Sequence, residues 1–182
     1  MNIPNMLTLL RIILVPVFVI LLMQGSFSYA LLVFVIAGVT DGLDGFLARI
    51  LKQQTVLGAY LDPLADKALI ATAFVALSIL DIIPGWLTVI VISRDCIILL
   101  GVSVLSLMSV SFEIRPAYVS KATTVLQLLT VFLVLMSISI PGYINHMVIV
   151  TLFWITAFFT VVSGFNYIFK GIKIINNSEA FL

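Results

Sequence analysis

The chain has 182 residues, of which 63% are hydrophobic and 9% are charged, and its formal net charge is +1. Soluble domains carry about 25% charged residues, so the composition predicts one integral membrane domain over residues 1–182. The net charge itself says little about partners, and nucleic acid is not expected as a partner without a basic surface. The single cysteine, Cys96, excludes an internal disulfide and a cysteine-based metal site. Its apolar surroundings predict a small buried side chain.

Six stretches approach the length of about 20 mostly apolar residues that a bilayer-spanning helix needs. The predicted fold class is an all-α integral membrane protein, a six-transmembrane-helix bundle with helices at roughly 7–23, 28–50, 57–80, 85–109, 119–140 and 145–169. The first stretch lacks a cleavage site, which favours a retained helix over a signal peptide. The C-terminal segment NNSEAFL is predicted to be frayed.

The basic residues predict an orientation in the membrane. The loops at 24–28, 81–85 and 140–146 contain no Lys or Arg, whereas seven basic residues fall on or near the other side: Arg11, Arg49, Lys52, Arg115, Lys121, Lys170 and Lys173. The positive-inside rule therefore places both termini in the cytoplasm, in a membrane of the bacterial inner (plasma) type. Two further cations, Lys67 and Arg94, remain within predicted spans.

Several side chains near the other loops suit the opposite interface of the membrane. Trp86 and Tyr143 fit the aromatic belt, and His146 is predicted to be interfacial. Trp154 lies farther along the last helix and is predicted to pack inside the protein.

Four of the eight acidic residues form two pairs within apolar runs. Asp41 and Asp44 are three residues apart, and Asp62 and Asp66 are four apart, so each pair shares one helix face. The short connection between the two helices predicts that the pairs face each other across an antiparallel hairpin. They would then line a polar cavity that opens to the cytoplasm. Such charges must be neutralised by protons, cations or a metal.

Carboxylate oxygens are hard ligands that suit Mg²⁺ or Mn²⁺ better than zinc. Two divalent cations would balance four charges, and paired metals favour in-line displacement at phosphorus. Gly45 and Gly58 allow close approach of a ligand, and Arg49 can grip a phosphate with two hydrogen bonds.

Two alternatives use the same acids differently. In one, they pair with Lys67 and Arg94 and hold helices together. In the other, they serve as a relay in an ion or proton transporter. All four acids are expected near the cytoplasmic side and not along a path through the membrane, and this asymmetric depth and the lack of obvious inverted repeats argue against a transporter.

The spacing of the acidic stretch is also a known pattern. The residues Asp41-x2-Asp44-Gly45-x2-Ala48-Arg49-x8-Gly58-x3-Asp62-x3-Asp66 resemble, at every fixed position, the signature of the CDP-alcohol phosphatidyltransferases. The segment NIPNMLTLLR (2–11) is similar to the N-terminal segment of that family. The segments LDPLADK (61–67) and SKATTVLQ (120–127) are similar to the branch of the family that makes phosphatidylglycerophosphate.

The resemblance implies a homodimer of six-helix subunits that transfers a phosphatidyl group from CDP-diacylglycerol to an alcohol and releases CMP. By matching positions, it implies that Asp41, Asp44 and Asp62 are metal ligands. Asp66 would be both a metal ligand and the catalytic base for the acceptor hydroxyl. The positions implied for nucleotide contact are Gly45, Ala48, Arg49, Gly58 and, as an addition, Thr55.

The acceptor is less well specified. Glycerol 3-phosphate is the expected acceptor, with Arg94, Arg115 and Lys121 as candidates for binding its phosphate. Relatives that use glycerol phosphate commonly carry Arg-Glu in the fourth helix and a second arginine about two turns later, whereas this chain has Arg94-Asp95 and no second arginine. Residues 93–95 also resemble cardiolipin synthases, whose acceptor is phosphatidylglycerol.

Other roles for these cations stay open. Arg94 can instead pair with one of the aspartates, and Arg115 and Lys121 can instead be positive-inside residues. Because Arg94 and Asp95 are adjacent, they are not expected to face each other as a helical pair.

Overall fold

A computed structural model describes the backbone at residues 3–51, 56–107 and 118–179, and the side chains at 9–40, 67–101 and 119–172. These ranges contain no strand, which confirms the all-α prediction. The six helices are α1 (Ile3–Met23), α2 (Phe27–Leu51), α3 (Val56–Ile79), α4 (Gly85–Leu107), α5 (Tyr118–Ser139) and α6 (His146–Glu179).

The predicted and observed helix bounds differ most at the C-terminus. The decrease in hydropathy after position 169 predicted the end of the last helix, but α6 continues to Glu179. The prediction of a frayed tail is therefore wrong for residues 176–179. A helix satisfies its backbone hydrogen bonds internally, so it can continue where its side chains become polar.

Three short turns connect consecutive helices and lie together at what we call the turn end of the bundle, namely residues 24–26, 80–84 and 140–145. Each turn has one residue in the left-handed region, with φ of 71° at Gly25, 57° at Asp81 and 87° at Gly142. Glycine adopts this conformation without steric cost, and aspartate tolerates it better than most residues. The loops expected at 24–28, 81–85 and 140–146 are confirmed, whereas the connections between α2 and α3 and between α4 and α5 lie outside the described residues.

Helices α2 and α3 have two neighbouring helices in common. Both α1 and α5 contact each of them, and α4 and α6 complete the bundle by packing against each other. Completely buried side chains such as Phe18, Phe74 and Leu135 fill the core. Phe18 contacts Phe34 across the α1–α2 interface, with ring centroids 5.7 Å apart.

The outer surface of the bundle is strongly apolar. Ile13 is 62% exposed, Leu100 65% and Phe158 65%, and such a surface suits lipid better than water. Among the described residues, Val119–Ser139 and His146–Ile172 are long and apolar enough to cross a membrane. The all-helical, apolar character is thus observed, and the full set of six spans stays a prediction.

Two predictions about single side chains need correction. Cys96 is exposed and not buried, because α4 packs against α3 and α6 and leaves another face of its apolar run on the surface. Trp154 is 64% exposed, although its ring does pack against Trp86, with centroids 5.0 Å apart. An apolar run does not itself specify which face is buried, because both lipid and core accept apolar side chains.

A buried polar seam joins α5 to α6. It consists of six side chains that are each at most 1% exposed: Thr123, Gln127, Thr130, Thr156, Thr160 and Ser163. The hydroxyl oxygens of Thr130 and Thr156 are 2.7 Å apart, and Gln127 Nε2 donates to Thr160 Oγ1 at 3.4 Å. Polar side chains of this kind hold membrane helices together, because lipid provides no hydrophobic force for their association.

The Thr130–Thr156 contact can be measured with a double-mutant cycle. Thr130→Val and Thr156→Val should show a coupling free energy of about 0.6 kcal/mol, the typical value for such contacts in membrane bundles. The measurement is unfolding by SDS from a mild detergent. Thr151 is exposed and bonds only to the backbone of its own helix, so the control cycle of Thr151→Val with Thr130→Val should show no coupling. Equal coupling in both cycles would contradict a specific contact.

Candidate active site

The backbone places the four aspartates on two helices, as predicted. Asp41 and Asp44 lie in the second half of α2, and Asp62 and Asp66 lie in the first half of α3. Their helical spacing puts the members of each pair on one face. Their side chains lie outside the described residues, so the apposition of the two pairs stays a prediction.

The predicted nucleotide contacts fall in the same region of the chain. Gly45, Ala48 and Arg49 belong to α2 and Gly58 to α3, and their side-chain environments also lie outside the described residues. Thr55 and Arg115 fall between the described backbone ranges. Helices α2 and α3 share α1 and α5 as neighbours in the bundle.

A second group of charges lies beside this region and is fully described. We call it the Arg94 cluster; it contains Lys67 of α3, Arg94 and Asp95 of α4, Ser120 of α5 and Ser163 of α6. Arg94 Nη1 donates to Asp95 Oδ1 at 2.6 Å. Arg94 Nη2 donates to the hydroxyls of Ser120 at 2.7 Å and Ser163 at 3.1 Å. One guanidinium thereby connects three helices.

The contact between Arg94 and Asp95 corrects a prediction. Adjacent residues on a helix point in different directions and were not expected to meet. The arginine stem is long and flexible, so its guanidinium folds back to the neighbouring carboxylate. Gly164 of α6 lies beside that stem, and a Cβ at this position would make an ordinary van der Waals contact with Arg94 Cγ at 3.7 Å.

The cluster holds more positive than negative charge. Lys67 Nζ lies 3.5 Å from the same Asp95 Oδ1 that binds Arg94, so one carboxylate serves two cations. The side chains of Arg94 and Asp95 are only 6% and 13% exposed, whereas that of Lys67 is 33% exposed. Arg94 Nε is buried and has no hydrogen-bond partner among the described residues. Lys67 is thus the more accessible of the two cations.

Chain neighbours locate the cluster relative to the predicted site. Lys67 directly follows Asp66 in α3, and Ser120 directly precedes Lys121 in α5. Of the three candidates for binding the acceptor phosphate, Arg94 lies in the cluster. Lys121 is exposed, and Arg115 lies outside the described residues.

Some residues near this site were not singled out for it by sequence reasoning. Lys67 was considered only as a structural partner of the acids, and Ser163 carries no sequence signal because a serine in an apolar helix is common. Arg11 was used only for orientation, yet it is 1% exposed on α1, the helix that packs against both α2 and α3. The position of Lys67 next to Asp66 in the sequence is the signal that could have identified it as a residue of this site.

Comparison with known proteins agrees with the motif. Residues 1–162 match the family model described as CDP-alcohol phosphatidyltransferase. The chain belongs to the CDP-alcohol phosphatidyltransferase family. The family resemblance predicted from the acidic stretch is confirmed, and with it the expectation of an enzyme of this class in lipid biosynthesis.

Individual relatives carry different names. The chain is 37% identical to the human "Cardiolipin synthase (CMP-forming)", over 94% of this chain and 62% of that protein. It is 32% identical to the Bacillus subtilis "CDP-diacylglycerol--glycerol-3-phosphate 3-phosphatidyltransferase", over 98% of this chain and 99% of that protein. A "Probable phosphatidylglycerophosphate synthase" of Mycobacterium tuberculosis is 35% identical over 94% of this chain and 82% of its own length. The chain thus spans less than two thirds of the human relative.

The ion pair of the Arg94 cluster should matter for stability. Asp95→Asn removes the only carboxylate that the structure shows beside Arg94, so the guanidinium keeps its charge in a buried position. Removing one partner of a buried pair typically costs about 3 kcal/mol, and SDS unfolding measures the loss.

Two matched variants serve as controls for Asp95→Asn. Lys67→Gln should cost at most about 1 kcal/mol, because that ion pair is long and partly exposed. Asp81→Asn should change the free energy of unfolding by less than about 0.5 kcal/mol, since Asp81 is exposed and has no ion pair with the described residues. If Asp95→Asn were no worse than Asp81→Asn, the pair would make no net contribution.

Proposed function

We propose that the protein transfers a phosphatidyl group from CDP-diacylglycerol to glycerol 3-phosphate and releases CMP, giving phosphatidylglycerophosphate. The observation that carries the proposal is the complete family signature, from Asp41 to Asp66, on two adjacent helices of a chain whose residues 1–162 match the family. Support for this acceptor comes from the Bacillus subtilis relative, which has almost the same length and whose name specifies glycerol 3-phosphate.

Four carboxylates are a donor set that fits hard divalent cations. We propose that Asp41, Asp44, Asp62 and Asp66 hold two such ions, Mg²⁺ or Mn²⁺. When bound, the ions would stabilise negative charge on the phosphates. Gly45, Ala48, Arg49, Thr55 and Gly58 are the proposed nucleotide contacts. The glycines leave space for the ligand, and the guanidinium suits a phosphate.

The reaction requires one proton transfer. The acceptor hydroxyl oxygen forms a bond to the β-phosphorus of CDP-diacylglycerol, and the bond from that phosphorus to the bridging oxygen breaks. CMP leaves with the bridging oxygen and its electron pair. The hydroxyl proton passes to the carboxylate of Asp66, which acts as general base.

The acceptor phosphate is proposed to bind at the side of the site where the Arg94 cluster lies. Within the cluster, two cations and one carboxylate leave a charge of +1, which attracts an anion. Most N–H donors of the buried Arg94 are occupied within the cluster. Its proposed contribution is therefore the positive electrostatic potential that its charge creates at the site. Lys67 is better exposed to contact the phosphate, and Arg115 and Lys121 remain candidates nearby in the chain.

We further propose that the protein is a six-span homodimer in a bacterial-type inner membrane, with both termini and the active site in the cytoplasm. The orientation is supported by the charge distribution, since the turn-end segments 24–28, 81–85 and 140–146 contain no Lys or Arg. The aspartates lie toward the opposite end of α2 and α3.

A second acceptor is favoured by different observations. Phosphatidylglycerol is suggested by the sequence Ser93-Arg94-Asp95 and by the likeness to the human cardiolipin synthase. The chemistry at phosphorus would be the same. The family membership is the reason to set aside the transporter alternative.

An acceptor screen tests the proposed reaction. Purified protein in detergent with Mg²⁺ or Mn²⁺ should release CMP from CDP-diacylglycerol when glycerol 3-phosphate is supplied. Phosphatidylglycerol, inositol phosphate and serine serve as comparison acceptors. CMP release that needs no acceptor, or none with any of the four, would count against the proposal. Faster release with phosphatidylglycerol would select the second acceptor.

The role of Asp66 as base predicts a kinetic signature. Asp66→Asn should lower kcat by about 10²–10⁴-fold, the usual contribution of a general base. It should weaken CDP-diacylglycerol binding far less, because three other carboxylates remain. Steady-state kinetics and nucleotide binding measure the two effects. Equal losses in kcat and in affinity for CDP-diacylglycerol would show that Asp66 is not the base. The control Asp81→Asn, at the other end of the bundle, should change neither kcat nor this affinity.

Lys67 should affect the acceptor alone. Lys67→Gln removes one positive charge beside Asp66 and should raise the KM for glycerol 3-phosphate about tenfold, the equivalent of one lost charge-assisted contact of roughly 1.4 kcal/mol. The KM for CDP-diacylglycerol should stay within a factor of about two. Lys67→Arg, which keeps the charge, should restore most of the loss. An unchanged acceptor KM in Lys67→Gln would show that the phosphate binds elsewhere.

A further inference from the structure

A cavity of about 380 Å³ lies at the turn end of the bundle, opposite the end where the active site is proposed. One wall comes from the α3–α4 turn and the start of α4, including Asp81 and Trp86. The other comes from α6, including His146 and Trp154. None of these residues belongs to the family signature or to the Arg94 cluster.

The cavity contains an uncompensated negative charge. The Asp81 side chain makes no hydrogen bond or ion pair with any residue in the described part of the chain. The three turn-end segments 24–28, 81–85 and 140–146 contain no Lys or Arg in the sequence. The φ of 57° at Asp81 fixes the backbone in the left-handed region, so the carboxylate is presented by a tight turn. Because this carboxylate is exposed, it can form an ion pair with a positively charged group of a ligand.

Two indole rings complete the cavity. Trp86 and Trp154 lie 5.0 Å apart with an interplanar angle of 32°, and they are 41% and 64% exposed. Their outer faces are open to a cation, for which tryptophan is the best aromatic partner. Neither indole N–H has a hydrogen-bond partner among the residues that the structure describes, so both can donate to an oxygen of a ligand.

Apolar surface continues from the cavity along α6. Phe158, one turn beyond Trp154, is 65% exposed, and Phe165 is 58% exposed. On α4, Val89 follows Trp86 by three residues and is 64% exposed. The cavity therefore combines one carboxylate and two N–H donors with an adjoining apolar face, at a level where tryptophan indicates the membrane–water interface.

We propose that this cavity binds the headgroup of a zwitterionic phospholipid, with the ammonium at Asp81 and the indole faces and the phosphate or ester oxygens at the indole N–H groups. The acyl chains lie along the exposed faces of α4 and α6. The site belongs to the outer leaflet, which rests on the orientation proposed above. An anionic lipid is disfavoured because its headgroup offers Asp81 no cation.

The composition of the chain provides a direct test, because its only two tryptophans are Trp86 and Trp154. Intrinsic tryptophan fluorescence of the full-length protein thus reports this cavity without any contribution from elsewhere. We suggest titrating phospholipids with brominated acyl chains into the protein in mild detergent. The probes are phosphatidylethanolamine, phosphatidylcholine and phosphatidylglycerol with identical chains.

Half-maximal quenching should require about threefold less phosphatidylethanolamine or phosphatidylcholine than phosphatidylglycerol, as expected for one exposed ion pair with a cation–π contact. Asp81→Asn should abolish this preference. Asparagine tolerates the left-handed conformation, so the turn is retained. Tyr143→Phe, at an exposed residue of the same end that does not line the cavity, should leave the preference unchanged.

Equal quenching by the three lipids, or a preference that persists in Asp81→Asn, would overturn the proposal. Stronger quenching by phosphatidylglycerol would overturn it as well. The readout needs no turnover, so failure of lipid binding is distinguishable from failure of the proposed reaction, which CMP release measures in the same samples.

Discussion

Four helices of this bundle are connected through one buried ion pair. Arg94 and Asp95 share a hydrogen bond of 2.6 Å within α4, and the remaining bonds extend to α5 and α6 through serine hydroxyls and to α3 through Lys67. A guanidinium whose side chain is only 6% exposed is costly in an apolar bundle unless its charge is paired, as Asp95 pairs it here. That requirement restricts how α3, α5 and α6 can be positioned around α4.

The two ends of the bundle differ in charge. At one end, acidic and basic residues are concentrated in the sequence, and Lys67, Arg94 and Asp95 are held in a shared network. At the turn end, the buried core is apolar and the turns are made by Gly25, Asp81 and Gly142 in the left-handed conformation. Asp81 is the acidic residue of these three turns, and it is exposed.

Polar contacts within the membrane bundle are of two kinds. The seam between α5 and α6 is neutral and buried, and contacts such as Thr130–Thr156 specify how two helices pack, since apolar side chains gain little by choosing each other over lipid. The Arg94 cluster is charged and lies where Ser163 ends the seam. The neutral seam thus leads from the interior of the bundle to the charged region beside Asp66.

The sequence by itself determined the helices and their turns, because apolar runs, glycines and prolines act locally along the chain. It also determined the family, because the spacing from Asp41 to Asp66 is a property of two single helices and their short connection. The sequence predicted too early an end for α6, because a helix can continue where its side chains become polar. It predicted a buried Cys96, which is exposed, because hydropathy does not distinguish a lipid-facing side from a buried one.

Only the tertiary structure decided which distant residues meet. The contacts of Arg94 with Ser120 and Ser163 and the cavity between Trp86 and Trp154 depend on the rotation of each helix about its axis. That rotation is set by the simultaneous packing of neighbours, and no single segment of the sequence encodes it.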